Sequence, residues 1–181
     1  MDNVRTLRRF GAYLEGIGHR PYYCSPQPSN GSVPIERLAE QLAIYVETTF
    51  DRNEPVNLFG FSMGGLIDRY FLQRLGGVER VARFVTVATP HQGTQTARVF
   101  PFPAAVQMRP SSDFLNDLNS DLTALEQVRF TSIWTPFDLT IVPSTSSVLP
   151  VGRSRRVYAA AHGLIPYDPF VMRSVGEALS E

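Results

Sequence analysis

The sequence is poor in several features that would otherwise narrow its interpretation. Its single cysteine, Cys24, excludes an intrachain disulfide and a metal site built from thiolates. No run of about 18 apolar residues occurs, which excludes a membrane-spanning helix. Neither sign of charge is in excess, because 17 acidic residues balance 17 basic ones, so we expect no nucleic acid partner. Lysine is absent as well, which we attribute to genomic base composition and which excludes no function.

The amino terminus and the overall composition bound the class of protein. Charged residues occur throughout the first nine positions, and no apolar core typical of a secretory leader follows them. We therefore expect a cytoplasmic chain. With 181 residues, 43% of them hydrophobic, the chain is long enough for one sizeable core, and no repeat or linker divides it. This predicts a single domain over residues 1–181.

Helical and strand patterns alternate along the chain. Apolar residues at helical spacing predict helices over residues 4–17 and 35–50, and a continuous apolar run over 55–61 predicts a strand buried on both faces. The same reasoning predicts further elements: a short strand at PYYC (21–24), a helix over 66–75, a strand over 81–89, two short helices within 111–127, strands at 130–135 and 155–161, and a helix over 167–179. Such alternation predicts an α/β fold, an open and mostly parallel sheet with helices on both faces.

The segment Gly60-Phe61-Ser62-Met63-Gly64 matches the pattern G-x-S-x-G between a predicted strand and a predicted helix. A serine held on such a sharp turn has a strained backbone that tolerates no bulky neighbours, and we expect Gly60 and Gly64 to relieve that conflict. Gly65 should let the following helix lie close to the sheet. The N–H of Met63, at the start of that helix, points to where negative charge would develop on an attacked carbonyl.

A serine nucleophile needs a base, and the base needs an anion to fix its tautomer. Of the three histidines, His162 follows the last predicted strand and is the preferred base; His91 and His19 remain weaker alternatives. The order Ser, acid, His that accompanies this elbow favours Asp138, which follows a strand and precedes His162. The aspartates at positions 51, 68, 113, 117, 121 and 168 are less well placed in the predicted elements.

Five segments together resemble the α/β-hydrolase lipases of bacterial type, namely GFSMGGL, RYFLQRLGGVERV, VATPHQGT, IWTPFDLTIVP and AAHGL. The resemblance covers most of the chain from Val4 onward. It implies Ser62 as nucleophile, Asp138 as acid, His162 as base and the Met63 N–H as an oxyanion donor. Phe61 replaces a histidine that often precedes the serine in these lipases.

The chain departs from that family at its start. Such lipases begin with an apolar strand and a His-Gly motif that supplies a second oxyanion N–H, and neither precedes Val4. Losing one donor typically costs about 10²- to 10³-fold in rate. We therefore expect Met1 to be an internal start within a longer enzyme.

The expected activity is hydrolysis of carboxylic esters, including lipid-like esters, through an acyl-enzyme intermediate that requires no metal or organic cofactor. We assign the side chains that contact the acyl group to an apolar, proline-rich loop over residues 100–110 and to the elbow; they are Phe61, Phe100, Phe102 and Met108. Transient contact with a lipid interface is a further expectation. Acyl transfer, thioester hydrolysis with the same triad, and a catalytically silent domain that acts by binding remain alternatives.

Overall fold

The computed structural model describes residues 4–181, and side-chain burial from residue 7 onward. Within this range the helices are α1 (Val4–Gly16), α2 (Ile35–Thr49), α3 (Met63–Arg74), α4 (Pro103–Gln107), α5 (Asp113–Ser120), α6 (Thr123–Glu126) and α7 (Pro169–Ser180). The strands are β1 (Val56–Phe61), β2 (Val81–Val87), β3 (Arg129–Trp134) and β4 (Arg153–Arg156). No helix within the described range combines the length and apolar character needed to cross a bilayer.

The four strands form one parallel sheet in the order β1-β2-β3-β4. Alternate residues of β1 and β2 enter two separate apolar clusters, one on each face. Leu58 and Phe84 pack on one face with α2 and α3, whereas Phe61 and Val85 pack on the other with α1 and α7. The prediction of an open parallel sheet with helices on both faces is confirmed.

Three local predictions were wrong. The segment PYYC is not a strand; it belongs to residues 19–26, which have no regular secondary structure, because the backbone of residues 21–24 forms no hydrogen bonds with a strand. The proline-rich segment 100–110 contains the one-turn helix α4, which Pro103 can begin because the first helical N–H needs no partner. The last strand is the polar stretch 153–156 rather than 155–161, since Val157 is the last residue whose N–H bonds to β3, at the carbonyl of Trp134.

Candidate active site

Ser62 lies on a sharp turn between β1 and α3. Its backbone has φ 54° and ψ −125°, a positive-φ conformation that is strained for a residue with a side chain. The two glycines that permit this turn are Gly60 and Gly65. A Cβ on Gly60 would lie 2.5 Å from the Gly65 Cα, and a Cβ on Gly65 would lie 2.2 Å from the Thr89 hydroxyl oxygen. The expectation for Gly64 was wrong, because a Cβ there would contact nothing within 4 Å among the described residues.

Three side chains from distant segments form a continuous hydrogen-bonded line at the carboxyl edge of the sheet. The His162 Nε2 atom lies 3.0 Å from the Ser62 Oγ atom, and the His162 Nδ1 atom lies 2.7 Å from the Asp138 Oδ2 atom. A carboxylate accepts hydrogen bonds, so Nδ1 carries the proton in the neutral ring and Nε2 is left to accept from the serine hydroxyl. The structure therefore brings together Ser62, Asp138 and His162, the three residues that the sequence analysis assigned to one triad.

Asp138 is fixed in place by its own loop. The Oδ1 atom accepts hydrogen bonds from the N–H groups of Thr140, at 2.8 Å, and Ile141, at 3.0 Å, and the residue is only 4% exposed. Thr135 ties this loop to the segment before His162, because its hydroxyl donates to the Ala159 carbonyl at 2.8 Å. The carboxylate thus keeps one oxygen for the backbone and one for the imidazole.

Met63 is the first residue of α3. Its N–H belongs to the first turn, whose donors have no intrahelical acceptor, and it finds no acceptor within residues 4–181. The helix dipole adds partial positive charge at this point. The geometry suits an anion formed next to Ser62.

The serine opens into an apolar cleft of about 790 Å³, which we call the β1 cleft because it follows β1 along its length. The four side chains assigned to acyl contact all line it: Phe61, Phe100, Phe102 and Met108. Phe61 packs on the imidazole of His162, with ring centroids 4.9 Å apart. The cleft offers a low-polarity surface directly beside the hydroxyl.

The other two histidines have different surroundings. His91 is fully buried, and its Nδ1 atom faces the Arg69 guanidinium at 3.5 Å while its Nε2 atom lies 2.9 Å from the Thr86 hydroxyl. Arginine only donates, so Nδ1 accepts and Nε2 holds the proton. Burial, followed by the charge of Arg69, holds the pKa of His91 well below its usual range. His19 contacts Ser180 instead. Neither histidine contacts Ser62.

Sequence reasoning missed Asp68. This residue of α3 is 8% exposed and lines the β1 cleft, and its Oδ2 atom finds no hydrogen-bond partner among the described residues. Burial raises the pKa of its carboxyl to about 8. The sequence carries no local signal for this residue, because its burial arises from the packing of α3 on β1. Within residues 4–181, no three His, Cys, Asp or Glu side chains are arranged to hold a metal ion.

Comparison with known proteins supplies the broader context. The family model described as palmitoyl protein thioesterase matches residues 24–137, a range that includes Ser62 and ends just before Asp138. No curated protein sequence matches significantly.

Solved structures resemble the chain at low identity. Lipase B of Aspergillus fumigatus has a TM-score of 0.73 at 18% identity, over 97% of this chain and 49% of the other. The mature lipase BlEst2 of Bacillus licheniformis has a TM-score of 0.66 at 15% identity, over 82% of this chain and 75% of the lipase. An extracellular α/β-hydrolase of a Paenibacillus species has a TM-score of 0.65 at 15% identity, over 96% of this chain and 91% of that hydrolase. The chain therefore has the α/β-hydrolase fold, and it spans about half the length of the fungal lipase.

Proposed function

This chain belongs to the palmitoyl protein thioesterase family, and we propose that it hydrolyses carboxylic esters of apolar acyl groups as one serine-hydrolase domain. The observation that carries the proposal is the hydrogen-bonded line from Ser62 through His162 to Asp138 at the mouth of an apolar cleft. The arrangement has the nucleophile, base and orienting anion that acyl transfer to serine requires.

In the proposed mechanism, the Ser62 Oγ atom attacks the substrate carbonyl while its proton moves to the Nε2 atom of His162. Asp138 keeps the imidazole in the correct tautomer and stabilises its protonated form. The leaving alcohol takes the proton from Nε2 as the acyl-enzyme forms. Water then attacks the acyl group, gives its proton to His162, and the serine leaves with that proton.

We assign the tetrahedral oxyanion to the N–H of Met63, supported by the position of this donor at the start of α3. We assign the acyl group to the β1 cleft beside Phe61 and Phe102, because both side chains line it together with Ser62. No step in this mechanism needs a metal ion or an organic cofactor.

A thioester is the second candidate substrate, and the family match favours it specifically. The same triad cleaves either bond, since only the leaving atom differs. Purified protein should be compared on p-nitrophenyl palmitate and palmitoyl-coenzyme A, each with Ser62→Ala as the matched control. A kcat/KM at least tenfold higher on one substrate assigns the class. Equal turnover by Ser62→Ala on both substrates would eliminate the mechanism.

Two further alternatives have distinct outcomes in the same assay. Acyl transfer would release the p-nitrophenol while the acyl group appeared on an added alcohol such as glycerol rather than as free acid. A catalytically silent domain would show turnover no faster than Ser62→Ala on every substrate.

We also propose that the mouth of the site contacts lipid surfaces transiently. Exposed apolar side chains adjoin the catalytic segments, with Leu139 83%, Leu164 59% and Phe100 52% exposed. Leu139 directly follows Asp138, and Leu164 lies two residues after His162. Side chains of this kind gain free energy on transfer from water to an apolar phase.

A further inference from the structure

A loop that supplies no group to the mechanism above runs beside the loop that carries Asp138. We call residues 91–96 the β2 loop, because they follow β2, and residues 135–142 the Asp138 loop, which follows β3. Since β2 and β3 are parallel neighbours, both loops leave the same edge of the sheet. The two loops are therefore neighbours at the edge where Ser62 lies.

The interior of the molecule holds the start of the β2 loop. The His91 carbonyl accepts hydrogen bonds from the Arg69 guanidinium at 3.4 Å and from the Asn119 side-chain amide at 3.0 Å. The His91 imidazole lies 2.9 Å from the Thr86 hydroxyl. His91, Arg69 and Thr86 are all fully buried, so the loop begins from a fixed point.

The β2 loop in turn holds the carboxyl-terminal half of the Asp138 loop. The Gln95 N–H donates to the Val142 carbonyl at 2.9 Å. The Thr94 hydroxyl donates to the Thr140 carbonyl at 2.8 Å and accepts from the Val142 N–H at 2.9 Å. A hydroxyl can do both at once, since it has one proton to donate and two lone pairs that accept. Thr94 thus binds the backbone on both sides of Ile141.

The other half of the Asp138 loop is held by different partners. The Thr135 hydroxyl accepts from the Phe137 N–H at 3.3 Å and donates to the Ala159 carbonyl at 2.8 Å. These bonds fix the loop before Asp138, whereas the bonds of Thr94 fix it after Asp138. The carboxylate therefore lies between two separate attachments of its loop.

The backbone that Thr94 holds is also the backbone that orients the Asp138 carboxylate. The Oδ1 atom accepts from the N–H groups of Thr140 and Ile141. A shift of this backbone would carry the carboxylate with it and lengthen the 2.7 Å contact between Oδ2 and His162. Thr94 is 4% exposed and Ile141 2% exposed, so water has little access to replace the lost bonds.

We propose that Thr94 is a positioning residue, whose hydroxyl holds the Asp138 loop in the conformation that keeps the carboxylate against His162. Its effect on turnover rests on the proposed function, whereas its effect on the hydrogen bond between Asp138 and His162 does not. Orientation of this kind matters for rate, because a misplacement of about 1 Å can cost about 10²-fold.

A purely structural role for Thr94 would have a different signature. The Thr140 carbonyl has a second donor, the Thr96 hydroxyl at 2.6 Å, and keeps it when the Thr94 hydroxyl is removed. The Val142 N–H then loses its acceptor, so the change is confined to the Asp138 loop. A structural role would lower the melting temperature and leave kcat of the folded chain unchanged.

The first test compares kcat and KM of the full chain and its variants on dissolved p-nitrophenyl acetate. Thr94→Val removes the hydroxyl and keeps the side-chain shape; it should lower kcat at least about tenfold and change KM less than about threefold. Thr94→Ser keeps the hydroxyl and should retain kcat within about threefold. Thr131→Val, at an equally buried position of β3 that is 4% exposed, is the matched control and should behave like the unmodified chain. An unchanged kcat in Thr94→Val, or equal losses in Thr94→Val and Thr131→Val, would overturn the proposal.

A second pair of variants keeps the test decisive should Thr94→Val fail to fold. Thr94→Ser and Thr94→Ala both lack the methyl group of threonine and differ only in the hydroxyl. The kcat of Thr94→Ser should exceed that of Thr94→Ala at least about tenfold. Equal values for the two variants would refute the positioning role.

The closing measurement needs no substrate. Proton NMR of the unmodified chain should show a low-field resonance from the His162 Nδ1 proton, identified by its absence in His162→Ala. This resonance should persist in Thr94→Ser and disappear in Thr94→Val and Thr94→Ala, because the bond to Asp138 is no longer held. An unchanged resonance in Thr94→Val and Thr94→Ala would overturn the proposal, as would its absence from the unmodified chain.

The two readouts separate the positioning role from the proposed function. A resonance that depends on the Thr94 hydroxyl, in a chain that hydrolyses no ester, would support the positioning role and refute the hydrolase. Full ester turnover in Thr94→Val would support the hydrolase and refute the positioning role.

Discussion

At the scale of single residues, the two oxygens of Asp138 have separate partners. Oδ1 accepts two backbone N–H groups and Oδ2 accepts the imidazole N–H. An amide at this position would keep its oxygen toward the two backbone donors and turn its NH₂ group toward His162. The imidazole would then have to accept at Nδ1 and hold its proton at Nε2, the atom that must receive the serine proton.

Asp138→Asn is therefore expected to lower kcat by about 10⁴-fold with little change in melting temperature, the effect of a wrong tautomer in a serine triad. The measurement is turnover of a p-nitrophenyl ester. Asp51→Asn, at an exposed position outside the site, serves as the control and should turn over like the unmodified chain. A loss of less than tenfold in Asp138→Asn would contradict the assigned role.

The glycines of the turn allow a second prediction, since two of them look alike in the sequence and differ in the structure. Gly60→Ala should lower the free energy of unfolding by about 2 kcal/mol or more, because its Cβ would clash with Gly65 and Asp68. Gly64→Ala should change it by less than about 1 kcal/mol, or raise it, because the space is open and alanine favours a helix. Urea denaturation measures both values. A larger loss for Gly64→Ala than for Gly60→Ala would refute this description of the turn.

At the scale of elements, α3 joins the serine to the interior of the molecule. It begins at Met63, directly after Ser62, and places Asp68 over β1 and Arg69 against the loop that contains His91. Asp68 carries a carboxyl whose pKa is raised to about 8 by burial. The folded chain therefore binds a proton that the unfolded chain has released above its ordinary pKa of 3.8.

The raised pKa of Asp68 makes the free energy of unfolding fall as pH rises. The contribution of Asp68 to stability is greatest below about pH 4 and decreases as pH rises through the folded pKa near 8. Asp68→Asn cannot ionise, so its free energy of unfolding should exceed that of the unmodified chain at pH 9 by an amount on the order of a few kcal/mol. The difference should nearly vanish at pH 4. Urea denaturation at pH 4, 6 and 9 tests this, and a difference independent of pH would contradict it.

The elements also show what can be predicted from the sequence. Residues 55–61 and 81–87 are mostly apolar because both faces of β1 and β2 are covered, so their pattern predicts central strands. Strand β4, with the sequence RSRR, lies at an edge and is exposed, so its pairing depends on β3 and leaves no apolar pattern. PYYC has the composition of a strand but no ladder partner. Asp68 was overlooked because its burial arises from packing of α3 on β1, which no local pattern specifies.

At the scale of the whole molecule, the three proposed catalytic residues lie along one edge of the sheet. Ser62, Asp138 and His162 follow β1, β3 and β4, and parallel strands bring their carboxyl ends to the same side. Exposed apolar side chains on the loops that carry Asp138 and His162 add a surface that differs from the charged exterior of α7 and β4.

This surface predicts a difference between dissolved and membrane-bound substrates. Leu139→Ser combined with Leu164→Ser should reduce turnover of a long-chain ester in phospholipid vesicles by about tenfold or more, because each side chain contributes about 1.5–3 kcal/mol when removed from water. Turnover of dissolved p-nitrophenyl acetate should change by less than about threefold. Exposed Ile44→Ser, on α2, is the matched control. An equal loss on both substrates would argue against a lipid contact.

The central claim is that Ser62 is a nucleophile activated by His162. The most direct measurement is reaction of the full chain with a fluorophosphonate probe, followed by mass spectrometry of the digested protein. Our account predicts one adduct, on the peptide that contains Ser62, and labelling at least a hundredfold slower in His162→Ala. An unmodified Ser62 after prolonged reaction, or equal labelling rates with and without the imidazole, would contradict it.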